Sequence, residues 1–362
     1  MIKRILSLAL ATLLLAVPQA KAQTQVSPYQ PGITPDGITY LLPSTSFRVV
    51  VTTTKTHHTP GEFCHYANRF LRLTNVPLTP YDEWAITDIK IYSYGVANKS
   101  QAYTIKYKAK TSAPLVTLAP DGRLLAINDP TVNTTPHQLP SATVTPQSTN
   151  TTNNGADFKT EEILSAGSTA KMAELTANEI YDIRENRTLL TKGQADFMPK
   201  DGEQLKLMLA QLNEQEQGLL QLFCGNQTTE VHTFTYDLTP QGEVNQQLLF
   251  NFSRHLGPVD ADDPAGIPYY ISVRNLNSLP AAAPTTQKAQ KEVEDLRYTL
   301  PGRAQVSITT PQREWVTQTF PMAQFGRIEH LGGELFNKKF STRLQLSPIT
   351  GGIIKIEAEK PE

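Results

Sequence analysis

The sequence predicts an α+β fold, mainly β, with two antiparallel β regions and an antiparallel helical hairpin between them. Three observations carry this. Apolar and polar residues alternate with period two over 38–128 and again from 230 onward. A helical apolar stripe occupies 169–224, and a polar stretch at 129–157 separates the first β region from the helices. The 362 residues suffice for two modest domains or one large β architecture, at about 150 residues per domain. With 26 prolines and only 19% charged residues, the composition fits a folded protein with long polar connections rather than a disordered chain.

Residues 1–22 read as an export signal. Lys3 and Arg4 precede an apolar run from Ile5 to Val17, and Pro18 and Ala20-Lys21-Ala22 then form a small-x-small cleavage site before Gln23. A membrane anchor needs about 20 apolar residues, more than this run supplies, and no later segment approaches that length. No cysteine lies near the cut, so there is no thiol for lipid attachment. The mature chain is therefore expected in the periplasm or cell envelope, not lipid-anchored and without a transmembrane span. Loss of Lys3, Arg4 and Lys21 leaves 30 basic against 34 acidic residues, a net charge of about −4 that gives nucleic acid no bulk attraction.

Within 23–128, Phe47, Val49 and Val51 share one parity, and Tyr103, Ile105 and Tyr107 alternate with Thr104, Lys106 and Lys108, as half-buried strands do. Pro120-Asp121-Gly122 between two apolar runs has the chemistry of a tight hairpin turn. A short helix over 61–71 is expected to present Phe63, Ala67, Phe70 and Leu71 on one face. Residues 129–157 carry Pro130, Pro136, Pro140 and Pro146 among Thr, Asn, Ser and Gln. So little apolar surface predicts a linker or long surface loop.

The helical hairpin is placed at 158–227. Ser168 or Thr169 caps a first helix running to about Leu190, with Met172, Leu175, Ile180 and Ile183 facing inward. Asp201 or Gly202 starts a second with Leu205, Met208, Leu209, Leu212, Leu219 and Phe223 on its stripe, and Gly225 ends it. Over 228–362, Phe234, Tyr236 and Leu238 restore the two-residue period. Further strands are expected at 269–273, 304–309, 315–320, 325–329, 343–346 and 352–357. No fixed-period repeat points to a solenoid or propeller.

The common catalytic signatures fail: there is no G-x-S-x-G elbow, P-loop, dinucleotide turn or zinc helix. Four weaker constellations remain. His57, His58, Glu62, Cys64 and His65 are the densest set of metal-type ligands, able to meet zinc if they converge and otherwise a polar surface loop. Asp260, Asp262 and Asp263 can hold calcium or supply an acid/base pair, or simply cap turns, which is how Asp most often serves in loops. No cofactor is required by either. Cys64 and Cys224 are the two cysteines, and in an oxidising compartment they form one long-range disulfide or stay as two separate thiols. Trp84, Tyr92, Tyr94, Tyr103, Tyr107 and Trp315 would suit stacking on sugars or peptides if they formed an exposed row, and core packing if not.

Several segments together carry a family resemblance: 37–43 (Gly-Ile-Thr-Tyr-Leu-Leu-Pro), 60–63 (Pro-Gly-Glu-Phe) leading into Tyr66-Ala67, 259–263 (Val-Asp-Ala-Asp-Asp), 300–304 (Leu-Pro-Gly-Arg-Ala) and 324–326 (Gln-Phe-Gly). The chain resembles a domain-of-unknown-function family of exported proteins from Bacteroidetes-type anaerobic bacteria, over nearly all of the mature sequence. The resemblance implies an envelope location and one co-evolved architecture, and transfers no functional residue. The function expected is non-catalytic binding of an envelope protein or a glycan. The alternative is hydrolysis of envelope polymers by the carboxylates of Asp260 to Asp263.

Overall fold

The computed structural model describes residues 33–34, 37–105, 115–135, 138–147, 155–281, 296–331 and 341–359, so the export segment 1–22 and Tyr107 lie outside the described residues. In chain order the elements begin with β1 (Ile33–Thr34), β2 (Gly37–Thr59), a 3-10 turn (Cys64–Tyr66), α1 (Ala67–Leu71), β3 (Tyr81–Ile105), β4 (Val116–Leu118), β5 (Leu124–Ile127) and β6 (Thr143–Gln147). A second 3-10 turn (Gly155–Phe158) leads to the helices α2 (Glu161–Leu164), α3 (Thr169–Lys192) and α4 (Gly202–Cys224). The strands β7 (Asn226–Leu238), β8 (Val244–Ser253), β9 (Gly257–Val259), β10 (Ile267–Asn275), β11 (Leu296–Thr309), β12 (Glu314–Leu331), β13 (Ser341–Leu346) and β14 (Ile353–Glu359) follow. All strand pairings between these elements are antiparallel.

The two β regions of the sequence interleave. β2 is the centre of the first sheet, with β3 on one side and β7, then β6, on the other. The second sheet runs β12-β11-β10-β8-β9, and the third runs β14-β13-β5-β4. Sheets one and two face each other as a sandwich. Phe47, Val49, Val51, Ile89 and Ile91 from one meet Phe250, Tyr269, Ile271, Val273, Val306 and Ile308 from the other. The third sheet closes a second core with Tyr40, Leu42, Leu124, Ile127, Leu296, Leu344 and Leu346.

Both cores draw on the same long strands. β2 has 23 residues, roughly 75 Å of extended chain, too long to remain flat over one core. Its ladder with β3 shifts register between Leu41 and Pro43, and the β11–β12 ladder shifts between Leu300 and Gly302, around Pro301. A proline cannot donate to a ladder, so bulges are where a long strand can carry one. Tyr40 and Leu42 thereby serve the second core, while Phe47 to Val51 serve the sandwich. The buried Tyr40 hydroxyl accepts from the Arg297 N–H and donates to the Arg297 carbonyl, each at 2.9 Å, and so fastens β2 to β11. Gln324 works similarly between the cores. Its Nε2 donates to the carbonyls of Thr45 (2.8 Å) and Pro240 (2.9 Å), and its Oε1 accepts from Thr45 N–H.

A third cluster sits where β2 ends. Phe63, Ala67, Ala173, Ala177, Ile180, Ile183, Leu219, Leu222 and Phe223 bury one another, with the Phe63 N–H donating to the Leu222 carbonyl at 2.6 Å. The expected helix over 61–71 is shorter than its pattern suggested: a 3-10 turn and about one helical turn, stopped at Arg72 in the left-handed conformation (φ 59°). The Ser168 side chain caps α3 by accepting from Lys171 N–H, and Asp201 caps α4 by accepting from Gln204 N–H. α3 and α4 pack together, with Arg184 and Arg187 each 2.5 Å from opposite oxygens of the buried Glu216 carboxylate. Burial alone would raise the Glu216 pKa, but the two guanidinium groups outweigh it and hold it below the usual carboxylate value.

One expectation needs correcting, and one pair of open alternatives is decided. Residues 129–157 are not simply a connection: Thr143–Gln147 adds an edge strand to β7, and Asp129 is buried. Nor does a disulfide join Cys64 to Cys224. Both are free thiols, Cys64 buried in the first 3-10 turn and Cys224 exposed as the last residue of α4.

Candidate functional site

The carboxylates and imidazoles singled out by the sequence do not assemble. In the loop after β9, the Asp263 carboxylate accepts from Ala265 N–H at 2.8 Å, and the Asp263 N–H donates to the Asp260 carbonyl at 3.1 Å. The buried Asn251 amide donates to the carbonyls of Asp260 (3.1 Å) and Ala261 (2.8 Å), while Asp260 and Asp262 point to solvent. This is turn chemistry, with the loop folded onto Asn251.

His57 and His58 are neighbours on β2 and so lie on opposite faces. His57 Nδ1 is 2.6 Å from Asp82, whose other oxygen takes Lys55 at 3.0 Å. The His57 hydrogen bond and then that of Lys55 lower the Asp82 pKa. His58 stacks on Tyr81 at 4.4 Å, Glu62 pairs with Lys159 at 2.5 Å, and His65 is exposed. Among the described residues, no three His, Cys, Asp or Glu side chains converge as a metal ion would require.

The singled-out aromatics that fall among the described residues form no exposed row. Trp84 packs against His232 and Phe234, Trp315 against Tyr269, and Tyr103 against Tyr40, and Tyr92 and Tyr94 are half-buried.

What the fold does expose is the far end of the helical pair. The apolar stripe of α4 starts at Leu205, but the cluster that buries it reaches only to Leu212. Over the two turns before it, Leu205, Met208 and Leu209 are half-buried and Leu207 is exposed. Between α3 and α4 there lies a cleft of about 540 Å³ lined by Leu189, Leu190, Phe197, Met208 and Leu212 and by the polar Asn186, Gln194, Asp196, Gln211 and Gln215. Phe197 is 66% exposed and Leu207 71%, with Met198 beside them. Gly193 makes the feature possible: with φ 70° it ends α3 in the left-handed region and turns the chain toward Phe197.

Sequence reasoning placed Leu205, Met208, Leu209 and Leu212 facing inward and did not single out Phe197, Met198 or Leu207. The available signal was a pair of large apolar residues, Phe197-Met198, in an otherwise polar connection.

No helix among the described residues is long and apolar enough to cross a membrane. No curated protein and no solved structure matches the chain. A family model does match, over residues 36–354, from the threshold of β2 into β14, so that it takes in the strands of both β cores, the helices and the cleft between them. On that match the chain belongs to the family described as Domain of unknown function (DUF4831).

Proposed function

We propose that this is an exported cell-envelope protein that acts by binding another protein, with the apolar cleft at the end of α3 and α4 as its contact surface. One observation carries the reading: Phe197, largely exposed, lines a cleft with Leu189, Leu190, Met208 and Leu212, and its chain neighbour Met198 and the α4 residue Leu207 also stand in solvent. Leaving such side chains exposed forgoes about 1.5–3 kcal/mol for each one that a partner could bury, and clustered exposed apolar surface marks interaction sites. An amphipathic helix laid into the groove is the recognition mode that suits this shape. Export rests on the leader at 1–22. The hydrolase reading has no comparable support, because the Asp263 carboxylate is committed to its own loop.

The test is a quantitative pull-down from envelope extract with the mature chain and its Phe197→Asp/Leu207→Asp variant as baits, together with sequencing of the native protein's N-terminus. The reading expects a defined partner whose capture falls at least tenfold with the variant, and a chain that starts at Gln23. Equal capture by both baits would overturn the binding surface, and a native chain that starts at Met1 would overturn export. Because both side chains are largely exposed, thermal unfolding of the variant should stay close to that of the parent, which separates lost binding from lost folding.

A further inference from the structure

The solvent face of the second sheet carries a separate arrangement, independent of the helical cleft. β11 alternates strictly: Gly302, Ala304, Val306 and Ile308 are buried, while Arg303, Gln305, Ser307 and Thr309 face outward. On β10, Tyr270, Ser272 and Arg274 face outward between the buried Tyr269, Ile271 and Val273. The register sets Arg274 beside Gln305 and Ser272 beside Ser307, and Thr319 and Thr317 of β12 continue the two rows. The Arg303 carbonyl accepts from Leu276 N–H, so Arg303 is the next outward residue along the strand, diagonal to Arg274.

The two guanidinium groups have no ion-pair or hydrogen-bond partner among the described residues, and neither do the side chains of Gln305 and Ser307. β8 opens the surface beside them. It carries an extra residue opposite the step from Ile271 to Val273, and Gln246 leaves the ladder in a left-handed conformation (φ 47°). Its N–H goes instead to Ser272 Oγ at 3.0 Å. The bulge leaves a concavity of about 430 Å³ against Arg274, Gln305 and Ser307. Among the described residues, the acidic groups here are Glu243, which lines the same concavity and has one oxygen accepting from Asn275 N–H at 2.8 Å, and Glu314 at the far end of the sheet.

We propose that this face binds an acidic polysaccharide, with a sugar carboxylate held by Arg274 and Arg303 and ring hydroxyls met by Gln305, Ser272 and Ser307. An arginine fork matches a carboxylate in a bidentate manner. Hydroxyl and amide side chains offer both donors and acceptors, as a sugar's hydroxyls require. The half-buried Tyr270 supplies a ring on the same face for stacking. A peptide would need apolar pockets for alternate side chains, which this polar face lacks.

Calorimetric titration of the mature chain with polygalacturonate, dextran and polyglutamate tests the assignment, using the parent, Arg274→Gln and Arg303→Gln. Polygalacturonate should bind and weaken with added salt. It should lose affinity about tenfold or more in Arg274→Gln, with a similar direction in Arg303→Gln and unchanged unfolding temperatures, and dextran and polyglutamate should not bind. The assignment is overturned by absent polygalacturonate binding, by binding indifferent to Arg274→Gln, or by polyglutamate binding as well as polygalacturonate.

Discussion

Asp129 shows how much one side chain can hold. Its carboxylate accepts from the Thr131 hydroxyl at 2.6 Å, from Thr131 N–H at 2.9 Å and from Gln345 Nε2 at 2.7 Å, so it folds its own loop and ties that loop to β13. These hydrogen bonds, those of Thr131 first, lower its pKa to about 2. A folded pKa below the unfolded value of about 4 means the stabilisation is complete at neutral pH. It fades as pH falls below about 4 and is gone once pH passes below about 2. Asp129→Asn should therefore lower the urea midpoint at pH 7 and flatten the acid limb of stability between about pH 4 and pH 2. An acid limb identical in parent and variant would show that another group controls it. None of this was visible in the sequence, where Asp129 opens a polar stretch with no apolar pattern and its partner Gln345 lies in a distant strand.

Gly225, at the junction between α4 and β7, separates a helical period from a strand period. It has φ 79° and ψ −169°, a combination essentially confined to glycine, and a methyl group there would run into the Thr59 carbonyl oxygen. Gly225→Ala is expected to cost about 2 kcal/mol or more, from the conformation and the clash together, as chemical denaturation would measure. Elements of this kind were legible. The Ser168 and Asp201 caps, the stop at Gly225 and the 3.6-residue stripe locate α3 and α4 to within a few residues, because a helix satisfies its backbone locally. The hairpin at Pro120-Asp121-Gly122 was legible for the same reason, with Gly122 at φ 86°. β6 was not. Its hydrogen bonds come from β7, some 85 positions further on, and Thr143–Gln147 has no period of its own. β12 reads as two strands because Pro321 and the bulge beside it interrupt the alternation midway.

At the scale of the whole molecule, the strands of 23–128 and 228–362 are shared between sheets, with β2 beside β7 and β5 beside β13. Periodicity identifies strands and their inward faces, but says nothing of which strand pairs with which. That choice is made by long-range ladders and by the shape of the cores they close. The functional surfaces follow the same division. The residues with recognisable chemistry, His57, His58, Asp260, Asp262 and Asp263, turn out to be dispersed or to serve turns. The cleft at Phe197, Met208 and Leu212 lies where α4 runs on past the cluster packed against its C-terminal half. Its use as a contact surface is the central claim, and photo-crosslinking in intact cells tests it most directly. A photoreactive residue at Leu207 should join the chain to one envelope protein, whereas the same residue at Gln217, exposed on α4 beyond the cleft, should not. Equal labelling from both positions, or none from Leu207, would contradict the account.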